Sequence, residues 1–307
     1  MIEFDRRTFL KATSLLMATP FVPTFIGMKK TKRLLAFSTL GCPDWDFQKI
    51  TDFAAEHDYN GIELRGLLRQ MDLAKCPEFS TSQNIAATLS VMKDKNLAFV
   101  DLGSSANLHI ADGAERKKNL DEAKSFIDLA QKIECPFVRV FPNKLPKDKT
   151  KSEAMDLITS GLLGLGQYAK GSKVKVLMET HGDVVWTEDI LKIMQSAFND
   201  NTGLVWDITN MWSITKEPPV EVYQKLKKYI CHTHIKDLKM IDGKEHYMLL
   251  GQGEVPIFTA IDVLQNGGYK GYYSFEWEKL WHPEIEEPEV AFADYSKVML
   301  EHFNKGV

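Results

Sequence analysis

The chain has 307 residues, of which 44% are hydrophobic and 26% are charged, and its formal net charge at pH 7 is −4. This is the composition of a globular protein. The slightly acidic balance argues against a general nucleic-acid-binding protein, whose surface is usually basic. The four cysteines are scattered and form no CxxC pair, which excludes a zinc ribbon and a thioredoxin-type motif.

The first 30 residues are expected to be an export signal and a linker rather than part of the fold. Residues 5–11 read DRRTFLK and precede the apolar run SLLMATPFVPTFIG. Paired arginines before a short apolar segment are typical of export signals, and this segment resembles a bacterial twin-arginine signal. The run is shorter than the roughly 20 residues that cross a bilayer. The sequence therefore predicts export to the periplasm and leaves open whether the signal is cleaved or stays as a membrane anchor.

From residue 31 onwards, β-rich runs alternate with segments of helical periodicity. The runs lie at 33–39, 61–66, 97–103, 137–142, 175–180, 204–209, 230–235 and 272–277. Such alternation implies parallel strands with right-handed crossovers, and eight units close naturally into a (β/α)8 TIM barrel. The alternative is an open doubly wound sheet, but its GxGxxG fingerprint does not follow the first run. We therefore predict an α/β fold with one barrel domain over residues 31–307.

Ionisable residues close the last four predicted strands, which carry, in order, Glu179, Asp207, His234 and Glu276. Because the ends of neighbouring parallel strands lie about 5 Å apart, these side chains are expected to converge at the C-terminal rim, where barrels place their active sites. Several buried charges in succession are costly unless a cation lies between them. Three carboxylates and one imidazole predict a site for one Mn²⁺, Mg²⁺, Co²⁺ or Zn²⁺ ion.

The expected chemistry follows from this set of ligands. A divalent ion that holds a hydroxyl and a carbonyl oxygen acidifies the neighbouring C–H and stabilises an enediolate. Glu179 and Glu276 are the expected catalytic base and acid, which predicts a sugar isomerase or epimerase. If a leaving group is present at the β position, the same intermediate predicts a lyase or dehydratase, and the sequence does not choose between these outcomes. A carbohydrate-binding barrel without catalysis is a further alternative.

Six further residues at or after the strand ends are candidates for holding substrate: Arg65, His181, Asn210, His232, Lys236 and His246. His232 lies one pleat before His234 on the same face, so it is either a supporting neighbour of the metal ligand or a substrate contact. Because an exported enzyme meets free sugars rather than sugar phosphates, we expect a small non-phosphorylated carbohydrate as the partner. The oligomeric state stays open, a homo-oligomer included.

Together these motifs are similar to those of the xylose-isomerase-like TIM barrels, a family of sugar phosphate isomerases and epimerases that also includes dehydratases. The resemblance covers about residues 33–305 and rests on GIELRG, LMETHGD, VWDITN, HTHIKD and GGYKGYYSFEWE. It implies that one divalent metal is bound at the positions of Glu179, Asp207, His234 and Glu276. It also implies that the two glutamates act as the acid–base pair.

One position departs from the family pattern. Many relatives carry a histidine three residues after the aspartate of the sixth strand, where this chain has Asn210. An endonuclease IV-like phosphodiesterase, a distant relative, also needs histidines at the ends of the second and third strands. The chain has Arg65 and Gly103-Ser104-Ser105 there. A three-metal nuclease is therefore the least favoured alternative.

Overall fold

A computed structural model describes residues 34–305. The predicted export signal and linker at residues 1–30 lie outside this described part of the chain. Within it, ten strands are found: β1 (Leu35–Ser38), β2 (Gly61–Leu64), β3 (Ala98–Asn107), β4 (Phe137–Phe141), β5 (Lys175–Glu179), β6 (Thr202–Asp207), β7 (Ile230–Ile235), β8 (Asp237–Ile241), β9 (Lys244–Met248) and β10 (Tyr273–Phe275).

Eight of these strands form a closed parallel barrel in the order β1-β10-β7-β6-β5-β4-β3-β2. Strand β1 pairs with β10, with Leu35 opposite Tyr273, and this pair closes the cylinder. The predicted α/β barrel fold is thereby confirmed. The seam is packed by aromatic rings, since the ring of Phe275 stacks on Tyr295 at 4.4 Å and that of Phe37 on Phe292 at 4.3 Å.

Helices follow the barrel strands and cover the cylinder. The α-helices of residues 34–305 are α1 (Phe47–Glu56), α2 (Ser82–Asp94), α3 (Gly113–Lys132), α4 (Lys151–Tyr168), α5 (Thr187–Ala197), α6 (Ile208–Thr215), α7 (Pro219–Leu226), α8 (Ile257–Asn266) and α9 (Pro288–Lys305). Short 3₁₀ turns lie at Thr39–Gly41, Leu73–Lys75 and Pro77–Phe79. None of the helices in this range is both long and apolar enough to cross a membrane.

Helix α6 differs from the sequence prediction, which placed residues 208 and 209 in the sixth strand. The strand ends at Asp207, whose Oδ1 accepts a hydrogen bond from the backbone N–H of Asn210 at 2.8 Å. This is an N-cap, in which a side-chain oxygen satisfies one of the first free N–H groups of a helix. The helix therefore begins directly at the barrel rim and fixes the aspartate in place.

A two-stranded hairpin, β8–β9, follows β7 and is absent from the sequence prediction. Its turn is Asp242-Gly243, where both residues have positive φ, at 51° and 74°. Asp-Gly is the residue pair that favours a type I′ hairpin turn. At the start of the hairpin, Asp237 accepts backbone hydrogen bonds from Gly251 and Gly253, both at 2.9 Å. Asp237, the last residue of the HTHIKD motif, thus fixes the loop that follows the hairpin.

Candidate metal centre

The ends of β5, β6, β7 and β10 bring one ionisable side chain each to a common point. These are the four predicted ligands, and one donor atom from each lies within 4.8 Å of all the others. Each residue is at most 4% exposed. The four side chains are Glu179, Asp207, His234 and Glu276.

The imidazole of His234 faces the three carboxylates through Nδ1. This atom lies 3.3 Å from Glu276 Oε1 and 3.8 Å from both Glu179 Oε1 and Asp207 Oδ2. It is buried and has no hydrogen-bond partner within residues 34–305. Bonds of about 2.0–2.2 Å to one divalent ion place neighbouring donors roughly 3–4 Å apart. The residues present therefore fit a divalent cation held by one nitrogen and three carboxylates.

Two buried cations hold the carboxylates from outside. Lys236 Nζ lies 2.6 Å from Glu276 Oε2 and 2.9 Å from Asp207 Oδ2. Arg139 Nε lies 3.1 Å from Glu179 Oε2. Each glutamate thus directs Oε2 to a protein cation and Oε1 towards the imidazole. Arg139 and Lys236 orient the carboxylates and leave these Oε1 atoms facing His234.

The pKa shifts report a strongly negative site. Burial alone would lower the pKa of the His234 imidazole, but Glu276, Glu63 and Glu179 raise it well above its ordinary value. Burial alone would raise the pKa of Glu276, but the charges of His234 and Lys236 hold it well below its ordinary range. A potential that attracts a proton to Nδ1 also attracts a divalent cation. At neutral pH this glutamate is therefore ionised, which is the form that binds a cation.

A second polar layer lies deeper in the barrel, with Glu63 of β2 at its centre. Its Oε2 lies 2.9 Å from His232 Nε2, 3.1 Å from His234 Nε2 and 3.0 Å from Ser274 Oγ. All four residues are fully buried. The opposite nitrogen of the ligand imidazole is therefore bound to a carboxylate, which leaves Nδ1 to face the predicted cation site.

Asp101 of β3 is the register partner of Glu63 on β2. It is fully buried, and neither of its carboxyl oxygens has a hydrogen-bond partner in the described chain. Burial and the neighbouring charge of Glu63 raise the pKa of Asp101 to about 8. At neutral pH this residue is therefore mainly a neutral acid, and it adds little charge to the layer.

The structure divides the six predicted substrate-binding residues into two groups. In the first group, Arg65 is 7% exposed and His181 and Asn210 are half-buried, and of these three Asn210 hydrogen-bonds to a predicted ligand. The amide of Asn210 donates to Glu179 Oε1 at 3.4 Å. Arg65 donates to the carbonyl oxygen of Gly103 at 3.2 Å, and burial followed by repulsion from Arg139 lowers its pKa to about 9.

The second group consists of two buried residues that contact carboxylates and one exposed residue. Lys236 is 1% exposed and contacts three carboxylates, the third being Glu278 at 2.6 Å, which matches its three N–H groups. His232 is fully buried beside Glu63, below the ligand layer. His246 lies in β9 opposite Lys239, and its side chain is exposed. The structure therefore does not bring His246 into the cluster, and Lys236 and His232 contact the carboxylates of the site.

Sequence reasoning missed three interior residues: Glu63, Asp101 and Arg139. Each is a lone ionisable residue within an otherwise apolar strand, in GIEL, FVDL and FVRV. A charge inside a buried strand is costly without a partner. The sequence shows this pattern, but the expectation that a barrel places its chemistry at the strand ends points away from these interior positions.

Comparison with known proteins identifies the family. Residues 51–296 match the family model described as the xylose isomerase-like TIM barrel. This chain belongs to the xylose isomerase-like TIM barrel family. The resemblance inferred from the motifs is thereby confirmed for the barrel, while the export signal lies outside the matched residues.

Relatives of this xylose-isomerase-like barrel have different activities. A 3-dehydroshikimate dehydratase from Bacillus anthracis is 25% identical over 248 residues, covering 75% of this chain and 85% of the relative. An inosose isomerase from Halalkalibacterium halodurans is 23% identical over 243 residues, covering 77% and 83%. A solved structure of the IOLI protein with a zinc atom has a TM-score of 0.74 at 18% identity, covering 89% of this chain and 98% of that chain. The relatives thus include both a dehydratase and an isomerase.

Proposed function

We propose that this protein is a divalent-metal-dependent isomerase or epimerase that acts on a hydroxy-carbonyl carbohydrate. The observation that carries the proposal is the placement of Glu276 Oε1 and Glu179 Oε1 at 3.3 Å and 3.8 Å from His234 Nδ1, an atom with no hydrogen-bond partner among residues 34–305. A bound divalent cation supplies Lewis-acid chemistry, which makes the C–H group beside a substrate carbonyl more acidic.

Glu179 and Glu276 then carry the proton. Their strands β5 and β10 are separated by β6 and β7 in the barrel, so the two carboxylates approach from different sides. One accepts the substrate proton, and the other returns a proton to the opposite face or to the neighbouring carbon. Arg139 and Lys236 favour the ionised, proton-accepting form of each carboxylate, because they are paired with the Oε2 atoms at 3.1 Å and 2.6 Å. The carboxylate that returns a proton enters the step protonated, so each turnover exchanges the protonation states of the two glutamates. The half-buried amide of Asn210 is the proposed contact for a substrate hydroxyl.

The test is exchange of the substrate C–H in deuterated water, followed by NMR over a panel of free and phosphorylated sugars. The protein is loaded in turn with Mn²⁺, Mg²⁺, Co²⁺ and Zn²⁺. We expect exchange with a non-phosphorylated sugar, and a loss of about 10²–10⁴-fold in Glu179→Gln and in Glu276→Gln. Glu188→Gln is the matched control, since this glutamate is exposed and paired with Lys225. Glutamine variants with wild-type rates would contradict the proposal, as would turnover of sugar phosphates alone.

A lyase or dehydratase acting on a keto-sugar or keto-glycoside is the second candidate. It is favoured by the dehydratase relative, which is matched over 85% of its length. The same two glutamates serve this reaction, because removal of the proton beside the carbonyl is followed by loss of a β-substituent. The NMR experiment separates the candidates: exchange without fragmentation supports the isomerase, whereas release of water or of an aglycone supports the lyase.

Export of the protein is a proposal that rests on the N-terminal sequence DRRTFLK, which lies outside the described residues. Export supports a substrate that occurs outside the cytoplasm, such as a free sugar. The test is fractionation of a bacterial host with a twin-arginine pathway. We expect the full chain in the periplasm or on the membrane, and an Arg6→Lys/Arg7→Lys variant in the cytoplasm. Equal distribution of the two proteins would contradict export by this route.

A further inference from the structure

Glu63 makes a contact that spans the inside of the barrel. It lies on β2, whereas its partners His232 and His234 lie on β7, and β1 and β10 separate these strands. A third partner, Ser274, lies on β10 as the register neighbour of His234. One carboxylate oxygen therefore joins three strands of the cylinder below the predicted ligands.

The hydrogen-bonding capacity of the partners determines the protonation pattern. A carboxylate only accepts, so the two imidazoles and the hydroxyl must donate to it. In the neutral imidazole of His234 the proton then lies on Nε2, so Nδ1 is the nitrogen whose lone pair binds either a further proton or a cation. That atom is the one that faces Glu179 Oε1 and Glu276 Oε1. The contact with Glu63 thus selects the tautomer in which His234 can bind a cation together with the carboxylates.

Glu63, His232 and His234 are also close enough together to hold a cation of their own. Their closest atoms are 2.9 Å and 3.1 Å apart, which are ordinary hydrogen-bond lengths. An ion here would require Nε2 of His234 to lose its proton while Nδ1 binds the first ion. The hydrogen-bonded arrangement needs no such anionic imidazole.

We infer that Glu63 is a positioning residue of the metal centre, which fixes the tautomer and the ring orientation of His234 through Nε2. This inference rests on the proposed function only in assuming that a divalent cation binds at the four ligands. His232 and Ser274 hold the Glu63 carboxylate in place from β7 and β10. Carboxylates bound to metal-ligating histidines act in this way in other metal sites, where their loss costs about 10–100-fold in metal affinity.

The experiment compares Co²⁺ binding by the apo forms of the wild type, Glu63→Gln, Glu63→Asp and Asp101→Asn, measured by competition with a chromophoric chelator. Asp101→Asn is the matched control, because it removes an equally buried acid at the same register on the next strand. We expect Glu63→Gln to bind about 10–100-fold more weakly and Asp101→Asn to stay within about threefold. Glu63→Asp, which keeps the charge, should lose less than Glu63→Gln.

A spectroscopic readout separates positioning from a general loss of structure. In the Co²⁺-loaded wild type, proton NMR should show a strongly shifted, exchangeable imidazole N–H signal from His234 Nε2. In Glu63→Gln this signal should exchange faster with water or disappear, while circular dichroism of the apo protein stays that of the wild type. If Glu63→Gln does not fold, the wild-type spectrum decides: absence of the protected N–H signal overturns the inference.

Three other results would also overturn it. One is Co²⁺ affinity in Glu63→Gln within threefold of the wild type. The second is an equal loss in Asp101→Asn, which would indicate a general effect of buried charge. The third is a stoichiometry of two ions per wild-type chain. If the loaded wild type exchanges no sugar proton, the proposed function fails, but the comparison of affinities is unaffected.

Discussion

The two halves of the barrel interior contribute different groups to the site. Strands β5, β6, β7 and β10 supply the four predicted ligands at their C-terminal ends. Strands β2, β3 and β4 supply Glu63, Asp101 and Arg139 from within the strands, all at most 1% exposed. The first half of the barrel (β5, β6, β7 and β10) can bind a cation. The second half (β2, β3 and β4) supplies residues that bond to the ligands or lie just behind them.

This difference indicates that the predicted ligands and the residues that contact them from inside the barrel occur at different kinds of sequence position. A ligand lies where an apolar strand ends, because the rim is open to substrate. Glu63 and Arg139 instead lie within their strands, where they pair with ligand side chains. Variants should therefore have different effects: changes to the four ligands should abolish binding, whereas changes to Glu63, Asp101 or Arg139 should weaken it or alter stability.

The largest effect is expected from loss of the nitrogen ligand. His234→Ala removes Nδ1 and leaves three carboxylates that repel one another. We expect cation affinity to fall by more than about 100-fold, beyond the range of supporting residues, together with loss of proton exchange. Titration calorimetry with Mn²⁺ and Co²⁺ measures the affinity. Binding within tenfold of the wild type would show that His234 is not a ligand.

Lys236→Met should destabilise the apo protein without weakening cation binding. The lysine is buried against Asp207, Glu276 and Glu278. Removing one partner of such a buried pair leaves the other charge unpaired, which destabilises the folded protein by about 3–5 kcal/mol. We expect this loss in the free energy of unfolding by urea without metal. Added Mn²⁺ should restore part of it, because a divalent ion compensates the same carboxylates.

A lysine on the surface provides the control for this variant. Lys225→Met breaks a pair with Glu188 at 2.7 Å, in which both side chains are about half-exposed or more. Exposed pairs contribute little to stability, so the urea midpoint should not change. If the two lysine variants unfold alike, the buried ion pairs do not have the role assigned to them.

The neutral state of Asp101 predicts a dependence of stability on pH. Its pKa is raised to about 8, so the folded chain keeps a proton that the unfolded chain releases near pH 4. The stability contributed by this proton is present at low pH and is lost as the pH rises from about 4 to about 8. Asp101→Asn keeps the site neutral at every pH. Its advantage over the wild type should therefore grow by about 1.4 kcal/mol per pH unit in that window.

Urea unfolding of the two apo proteins at pH 5, 6, 7 and 8 measures this difference. If the curves of wild type and Asp101→Asn run parallel, the acid does not carry a raised pKa. If the free energy of unfolding falls with rising pH equally in both proteins, the proton is bound by a group other than Asp101.

The smallest effect is expected at Asn210. Its amide donates to Glu179 Oε1 at 3.4 Å, a long hydrogen bond. Asn210→Ala should therefore cost about 1 kcal/mol, or roughly fivefold, in kcat/KM, with cation affinity almost unchanged. Steady-state kinetics and metal titration measure both quantities. A loss of cation affinity as large as that of Glu63→Gln would make Asn210 a support of the metal centre rather than a substrate contact.

Much of the first half of the site could be predicted from the sequence. Eight alternations of strand and helix indicate the barrel, and a barrel brings the ends of β5, β6, β7 and β10 together. Glu179, Asp207, His234 and Glu276 were found because each ends an apolar run. The start of α6 was misplaced, because Asp207 is both a strand end and a helix cap.

The second half could not be placed in the same way. Strands of a parallel barrel are covered on both faces and read as continuous apolar runs, so the sequence does not tell which residues point inwards. The contact of Glu63 with His234 spans 171 positions and crosses the barrel. Only the closed geometry shows that an acid of β2 reaches a histidine of β7. Lys236 could be named as a candidate from the sequence, but its carboxylate partners could not, since they come from β6 and from residues around the end of β10.

The central claim is that one divalent cation is bound by the side chains of β5, β6, β7 and β10. The most direct test is anomalous diffraction from a crystal of the Mn²⁺-loaded protein. We predict one strong peak per chain, about 2.0–2.3 Å from His234 Nδ1 and from the carboxylate oxygens of Glu179, Asp207 and Glu276. No peak at this point, or a peak bound by Glu63 and His232 instead, would contradict the account.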